Sequence, residues 1–470
     1  MSNRRDFLKS MTFALGTATV LGGCSMAKAS RSKPGFNMSG YCAPKIPTVR
    51  IGFIGLGMRG PGAVSRMTHI EGVEIAAICD KRKQCTDKVE KMLANSGFPK
   101  PAVYTGSEDA WKEMCQRDDL DLIYIATPWH MHTPMAVYAM EQGKHAASEV
   151  PVATTMEECW QLVETSEKTK KHCVILENCC YDFFEMLTLN MVRQGMFGEV
   201  IHGEGAYIHN LVGLNFNKNG YADMWRLNHN AKRNGNLYPT HGLGPVCQCM
   251  DINRGDKMEY LTSMASADFT MNAEATKRAE TDDFYKPYIG KPYRGNMNTT
   301  LVKTNKGRTI MIQHDVSSPR PYSRIHLVSG TKAFAQKWPK THIALGHSAV
   351  SDEKLQELYD TYSPEIVTKI GEMAKKVGGH GGMDFLMDWS MINSLRNGLP
   401  VDMDCYDAAL WSCITPLSIE SIANRSNSVK VPDFTRGNWK TNKPVALELK
   451  TINGVRGIKK ADASGQLKVE

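Results

Sequence analysis

After its N-terminal segment, the 470-residue chain has no apolar run long enough to span a bilayer. It also lacks any Lys/Arg run interleaved with aromatics. Its net charge of +8 is spread along the chain, which reads as a solvated basic surface and sets nucleic-acid binding aside. There is no internal repeat and no low-complexity tract. Thirteen cysteines are present, yet Cys179-Cys180 and Cys247-x-Cys249 lack a complete tetrahedral set at zinc spacing, so no metal site is expected. Cys79, Cys173 and Cys413 lie in apolar runs, where a free thiol behaves as a small hydrophobe, so a disulfide framework is not expected either. The remaining composition, 42% hydrophobic and 23% charged, is that of an ordinary globular chain, and its length favours two domains.

The N-terminus is more specific. Residues 3–9 read NRRDFLK, and the uncharged segment MTFALGTATVLGGC that follows is too short for a spanning helix. This resembles a twin-arginine (Tat) export signal, an address read by the Tat machinery rather than an anchor. Two endings stay open. LGGC (21–24) looks like a lipoprotein box that would leave Cys24 as a lipidated first residue, and AKA (27–29) offers an A-x-A-like cleavage site. The expectation is an exported protein, periplasmic or lipid-anchored at the cell envelope. Export in the folded state also agrees with reduced cysteines and with a soluble cofactor loaded in the cytoplasm.

Behind the signal (1–30), residues 31–46 are polar and Pro/Gly-punctuated and read as a linker. Residues 47–180 then alternate strands and helices. VRIGFIGLGMRG opens with an apolar run, a glycine-rich turn and a helix, and VEIAAICD (73–80), DLIYIATP (121–128), KHAASEVP (144–151) and CVILEN (173–178) are further apolar strands. That rhythm predicts an α/β domain with a doubly wound parallel sheet. From residue 181 to 470 it changes. Residues 199–209, 259–268, 298–304, 308–315 and 323–330 alternate apolar and polar, predicting an α+β domain with an open, mainly antiparallel sheet. Helices are expected around 384–397 and 405–424; residues 333–382 are poorly periodic.

Gly55-Leu56-Gly57-Met58-Arg59-Gly60 matches G-x-G-x-x-G between a strand and a helix, and Asp80 ends the next strand. Glycines there let the backbone approach a pyrophosphate at a helix N-terminus. Asp80 would accept from a ribose 2′-hydroxyl and repel a 2′-phosphate, so NAD is the expected cofactor. Thr127-Pro128-Trp129-His130-Met131-His132 and Glu149-Val150-Pro151 end strands at the same carboxyl edge, where open α/β sheets bind ligands.

With these motifs the chain resembles the Gfo/Idh/MocA oxidoreductases, from which it departs twice. Those dehydrogenases usually carry Glu-Lys-Pro where this chain has Val150, and an Asp four residues before a catalytic histidine where it has Leu237. His241 is therefore expected to lack that partner, and an ordinary sugar dehydrogenase is disfavoured. Longer blocks, among them EVPVATTMEECW (149–160), LENCCY (176–181), WRLNHN (225–230), RNGNLYPTHGLGP (233–245) and GGHGGMD (378–384), resemble glycoside hydrolase family 109, the NAD-dependent α-N-acetylgalactosaminidases. The resemblance implies that Met58, Arg59, Asp80, Trp129, His130, Met131, His132, Glu149, Val150 and Asn178 hold NAD. It also implies that Tyr207, Arg226, Tyr238, Pro239, Thr240, His241 and Tyr322 meet the sugar.

The mechanism implied is transient oxidation at C3 of an amino-sugar glycoside, elimination of the aglycone and addition of water. His241 is the expected base for the C3 hydroxyl. Tyr207 is the expected base for the C2 proton, Tyr238 the alternative, and His380 is either a pocket residue or a structural one. Expected partners are the glycoside, the Tat machinery and further copies of the chain. The rival readings are an NAD(P)-dependent sugar dehydrogenase and a non-catalytic sugar-binding lipoprotein.

Overall fold

Each continuously apolar strand in the first half needs both faces covered, and the helices that follow the strands cover them. The computed structural model describes residues 35–449 and the backbone of two short strands beyond. The expected export signal with Cys24, and residues 31–34, lie outside the described residues. The first half runs β1 (Val49–Ile54), α1 (Gly60–Met67), β2 (Val73–Cys79), α2 (Lys83–Asn95), β3 (Ala102–Tyr104) and α3 (Ala110–Cys115). It continues through β4 (Leu122–Ile125), α4 (Trp129–Glu141), β5 (His145–Ser148), α5 (Met156–Thr169) and β6 (Cys173–Ile175). All pairings are parallel, in the order β3-β2-β1-β4-β5-β6. The edge strand β3 has no counterpart in the sequence reading, because three residues, AVY, are too few to show a period.

The second half contains α6 (Phe183–Arg193), β7 (Val200–Ile208), the single turn α7 (Val212–Asn215), α8 (Trp225–Asn230) and α9 (Thr240–Cys249). Then come β8 (Met258–Ala265), α10 (Met271–Ala279), β9 (Asn298–Thr304), β10 (Thr309–Asp315), β11 (Leu327–Gly330), β12 (Ala333–Gln336) and β13 (His342–Leu345). The helices α11 (Asp352–Tyr362), α12 (Glu365–Val377), α13 (Met383–Asn397) and α14 (Cys405–Ala423) precede β14 (Val429–Lys430). An eight-stranded sheet results, ordered β13-β12-β11-β7-β10-β9-β8-β14. Only β7 and β10 pair parallel in it, with Tyr207 opposite His314. Helix α9 lies on one face, and the other leaves Met264 and Leu301 exposed.

The late helices return to the first domain. In α13, Asp388 accepts from Arg66 of α1 (2.7 Å) and from the Tyr124 hydroxyl of β4 (3.2 Å). In α14, Ser412 accepts from the Val152 amide (3.2 Å). Residues 36–46, expected as a linker, are packed rather than free. Met38 is buried with its N–H on the Tyr406 hydroxyl (3.1 Å), and the Ile46 N–H reaches the Leu395 carbonyl (3.1 Å). The twelve described cysteines are all free, and no helix among the described residues is long and apolar enough to cross a membrane.

The loop carrying Glu149 is set by the start of α5. Thr155 accepts from the Glu158 N–H (3.2 Å), while the Glu158 carboxylate accepts from the N–H groups of Thr155 (3.0 Å) and Thr154 (2.7 Å). Thr155→Ala removes this cap and is expected to cost about 1 kcal/mol, read as a lower midpoint in urea unfolding.

Candidate active site

The glycine turn divides its labour. Gly55 has φ +89°, and a Cβ there would lie 2.6 Å from the Ala126 carbonyl oxygen. A Cβ on Gly60 would lie 2.0 Å from the Gly55 oxygen. These two glycines serve the turn itself, and Gly60, expected at the cofactor, lies beneath the cavity wall rather than in it. Gly57 differs, since its Cβ would meet only the Arg82 guanidinium, at 3.3 Å. The space above it opens into a cavity of about 890 Å³. Asp80 stands beside this turn and accepts from the N–H groups of Leu56 (2.8 Å) and Arg82 (2.9 Å). A bare cradle of backbone next to a carboxylate fits a dinucleotide's pyrophosphate and ribose. The neighbouring cations are already paired: Arg82 with Asp80 (3.3 Å), Lys81 with Glu108 (3.0 Å) and Asp223 (3.6 Å). Asp80, Glu108 and Asp223 outnumber these two cations and disfavour a 2′-phosphate. Gly57→Ala is expected to leave the melting temperature within about 2 °C. It should cut NAD retention roughly tenfold, measured as cofactor released on denaturation.

The cavity floor is a charged lattice. Arg59 donates to Glu149 (2.9 Å) and Asp384 (3.2 Å), and its Nη1 lies 3.3 Å from Nδ1 of His380. Glu149 above all, then Asp384, holds the Arg59 guanidinium well above its usual pKa against the cost of burial. Asn178 donates to Asp384 (2.5 Å). His132 sits between the carbonyls of Pro151 and Thr127, 2.7 Å from each, and burial lowers its pKa. It ties the two strand-end loops together. Met58, Trp129, His130, Met131, Val150 and His380 also border the cavity.

At the opposite end, α9 is laid directly on β7. A Cβ on Gly205 or Gly242 would come within 2.2 Å of backbone across that contact, so these two glycines set the depth of His241. Pro239 and Thr240, expected to touch the sugar, form the buried start of α9 and turn His241 into the cavity. Tyr322, also expected there, stands behind Tyr207, with ring centroids 6.3 Å apart.

His241 has the carboxylate partner that Leu237 could not supply, and it comes from the segment after β6. Its Nδ1 is 2.7 Å from Oε1 of Glu177, which is fully buried just past β6 and also accepts from the Cys179 N–H (3.1 Å). Burial alone would raise the Glu177 carboxyl, but His241 and the adjacent Thr240 hydroxyl outweigh it and hold the pKa below its usual value. The donor atoms of Glu177, Cys179 and His241 lie within 4.8 Å of one another, two of them already bonded together.

Arg226, Tyr207, Tyr238 and His241 converge on the same space. The Tyr207 ring lies 4.7 Å from Tyr238 and 5.4 Å from His241, and Tyr238 lies 4.8 Å from His241. The buried Arg226 guanidinium lies 4.7 Å from the Tyr238 ring and 4.9 Å from Trp129, and donates to the Tyr221 hydroxyl (2.8 Å). Its Nη2 has no partner, and no described carboxylate lies within ion-pair distance. Among described residues, sequence reasoning missed Glu177, His209 and Tyr221. Glu177 left one trace, a charge ending the apolar strand CVILEN.

A parallel α/β sheet with a glycine cradle, joined to a sheet-based second domain, defines an NAD-binding protein of the Gfo/Idh/MocA oxidoreductase fold. Residues 49–177 match the family described as "Oxidoreductase family, NAD-binding Rossmann fold". Levoglucosan dehydrogenase, in complex with NADH and L-sorbose, superposes with a TM-score of 0.61 at 15% identity, covering 83% of this chain and all of that one. The aldose-aldose oxidoreductase of Caulobacter crescentus does so with 0.59 at 16%, covering 82% and 99%. Residues 181–441 match "Glycosyl hydrolase 109, C-terminal domain". The chain is 49% identical over 413 residues to a glycosyl hydrolase family 109 protein of Porphyromonas gingivalis, covering 84% of this chain and 86% of the other. It is 50% identical over 408 residues to the alpha-N-acetylgalactosaminidase of Bacteroides fragilis, covering 85% and 95%. The chain belongs to glycosyl hydrolase family 109, with NAD as its cofactor.

Proposed function

We propose that the protein hydrolyses terminal α-N-acetylgalactosaminides by a redox-neutral route. The sugar class rests on the Bacteroides fragilis relative, an alpha-N-acetylgalactosaminidase. The route rests on one observation, where the charges in the cavity stand. Ordinary glycosidases flank the scissile bond with two carboxylates. Here Asp80, Glu108, Glu149 and Asp223 border the nucleotide cradle or pair with Arg59 and Lys81. The sugar end presents His241, Tyr207 and the Arg226 guanidinium, which donates to a phenol rather than to a carboxylate.

When bound, NAD supplies reversible hydride acceptance at C3 of the sugar, and the resulting ketone acidifies the proton at C2. His241 takes the C3 hydroxyl proton, with Glu177 fixing its ring and stabilising the imidazolium. Tyr207 takes the C2 proton, and the bond from C1 to the aglycone breaks as it does. Arg226, which borders the cavity, stabilises the oxygen on which negative charge develops. Water then adds to the unsaturated sugar, and the same residues return the protons. Tyr238 is the poorer base. Its ring is stacked on Trp129 (5.6 Å), and burial drives its phenol well above the usual pKa.

A panel of aryl α- and β-glycosides, with and without added NAD, tests this reading. Hydrolysis of the α-N-acetylgalactosaminide in D₂O should place deuterium at C2 of the released sugar without net reduced nicotinamide. Free sugar accompanied by stoichiometric reduced nicotinamide would instead mark a dehydrogenase. We also propose export through NRRDFLK. Changing both Arg4 and Arg5 to Lys should retain the protein in the cytoplasm on cell fractionation.

A further inference from the structure

This inference rests on the glycosidase reading above. A phenol ordinarily keeps its proton up to about pH 10. Burial pushes Tyr207 higher, and Arg226 only partly offsets this. Alone, Tyr207 is a weak base toward a carbon acid near neutral pH, so its own proton needs a destination.

His209 follows two residues later, just past the end of β7, and strand residues two apart project to one face. Its Nδ1 is 3.0 Å from the Tyr207 hydroxyl. The imidazole borders the cavity and meets the Tyr322 ring edge-on at 5.1 Å. The charged and titratable groups around it are Tyr207, Tyr322, Arg226 from α8, His241 from α9, and His380. Burial first, then the positive charge of Arg226, lower its pKa from the usual 6.5. Near neutral pH it is the neutral imidazole. With the proton on Nε2, the Nδ1 lone pair accepts from the phenol.

We propose that His209 accepts the phenolic proton of Tyr207 while Tyr207 accepts the proton from C2 of the 3-oxidised sugar. The C2–H bond breaks and its proton moves to Tyr207 Oη; the Oη–H bond breaks and that proton moves to His209 Nδ1. The C2–H electron pair becomes the second bond between C1 and C2. The C1–O bond breaks, its electrons leave with the aglycone oxygen, and the imidazolium proton reaches that oxygen through cavity water. His209 thus acts through Tyr207 and never touches the sugar. It also explains the choice between two tyrosines so close together, since Tyr207 is the one with an acceptor for its proton.

His209→Asn tests the step. Asparagine can hold an acceptor near the Nδ1 position, so it preserves a structural hydrogen bond, but it cannot take a proton. In the NAD-loaded enzyme, kcat should fall about 100-fold with KM within about threefold. The isotope effect from deuterium at C2 should rise, and the acid limb set by His209 should vanish from the pH profile. Wild-type kcat, isotope effect and pH profile in His209→Asn would overturn the dyad. Failure of the wild-type enzyme to place solvent deuterium at C2 would instead remove the glycosidase reading beneath it. Should the variant fold poorly, ¹⁵N NMR titration of His209 in the wild type and in Tyr207→Phe gives the answer without turnover. The pKa of His209 should move when the phenol is removed, and an unmoved value overturns the proposal.

Discussion

Replacing His241 by alanine is expected to lower kcat about a thousandfold, with KM changed by less than about threefold. The size of the effect follows from what the imidazole does and from how it is held. Taking a hydroxyl proton as hydride leaves the same carbon needs a base near neutral pH, fixed in tautomer and in place. Glu177 provides both, 2.7 Å from Nδ1, so Nε2 is left as the free proton acceptor facing the cavity. Alanine removes the base and leaves Glu177 fully buried without its strongest partner. His241→Gln separates these two losses, because an amide can still donate to Glu177. Equal losses in both variants assign the effect to proton transfer. A large loss in alanine with near wild-type rate in glutamine would make His241 a packing residue and remove it from the chemistry. In both variants, sugar added to the NAD-loaded protein should produce no absorbance from reduced nicotinamide, because the first proton has no acceptor.

Much of this molecule is legible in its sequence, and the parts that are not share a physical cause. The parallel sheet announces itself because buried strands must be apolar throughout, and Gly55, Gly57 and Asp80 fall where a strand turns into a helix. In the second domain, β7 to β10 show the alternation of a sheet covered on one face. Between residues 333 and 382, α12 does carry a four-residue spacing, with Ile366, Ile370 and Ala374 buried, but the four-residue strands β12 and β13 before it show no usable period. The site divides in the same way. The glycines around His241 show that the chain must approach something closely, yet only the fold reveals that Gly242 meets Gly205 on β7. Glu177 and His241 are 64 residues apart, and no spacing rule along one chain reports a pair formed by stacking a helix on a strand end. Pro239 and Thr240 show the opposite limit. Their place beside His241 suggests contact with the sugar, whereas the first turn of α9 buries both.

Tyr207→Phe should lower kcat by a similar factor, about a thousandfold, but at a different point in the cycle. Phenylalanine keeps the ring that packs against Tyr238 (4.7 Å) and His241 (5.4 Å), so the fold and the bound NAD should be retained. Only the oxygen that receives the C2 proton is lost. His241 and Glu177 are untouched, so removal of the C3 hydroxyl proton still proceeds. The sugar is then held as its 3-ketone with the aglycone attached. Mixing the NAD-loaded variant with substrate should therefore give up to one equivalent of reduced nicotinamide, read by absorbance, and almost no released aglycone. The His241 variant should give neither. This contrast is the strongest test of the division of labour, because a variant that had merely lost sugar binding would fail at both steps. Aglycone release from Tyr207→Phe at the wild-type rate would transfer the second proton to another group. Tyr238, 4.8 Å from His241 in the same cavity, would be the next residue to replace.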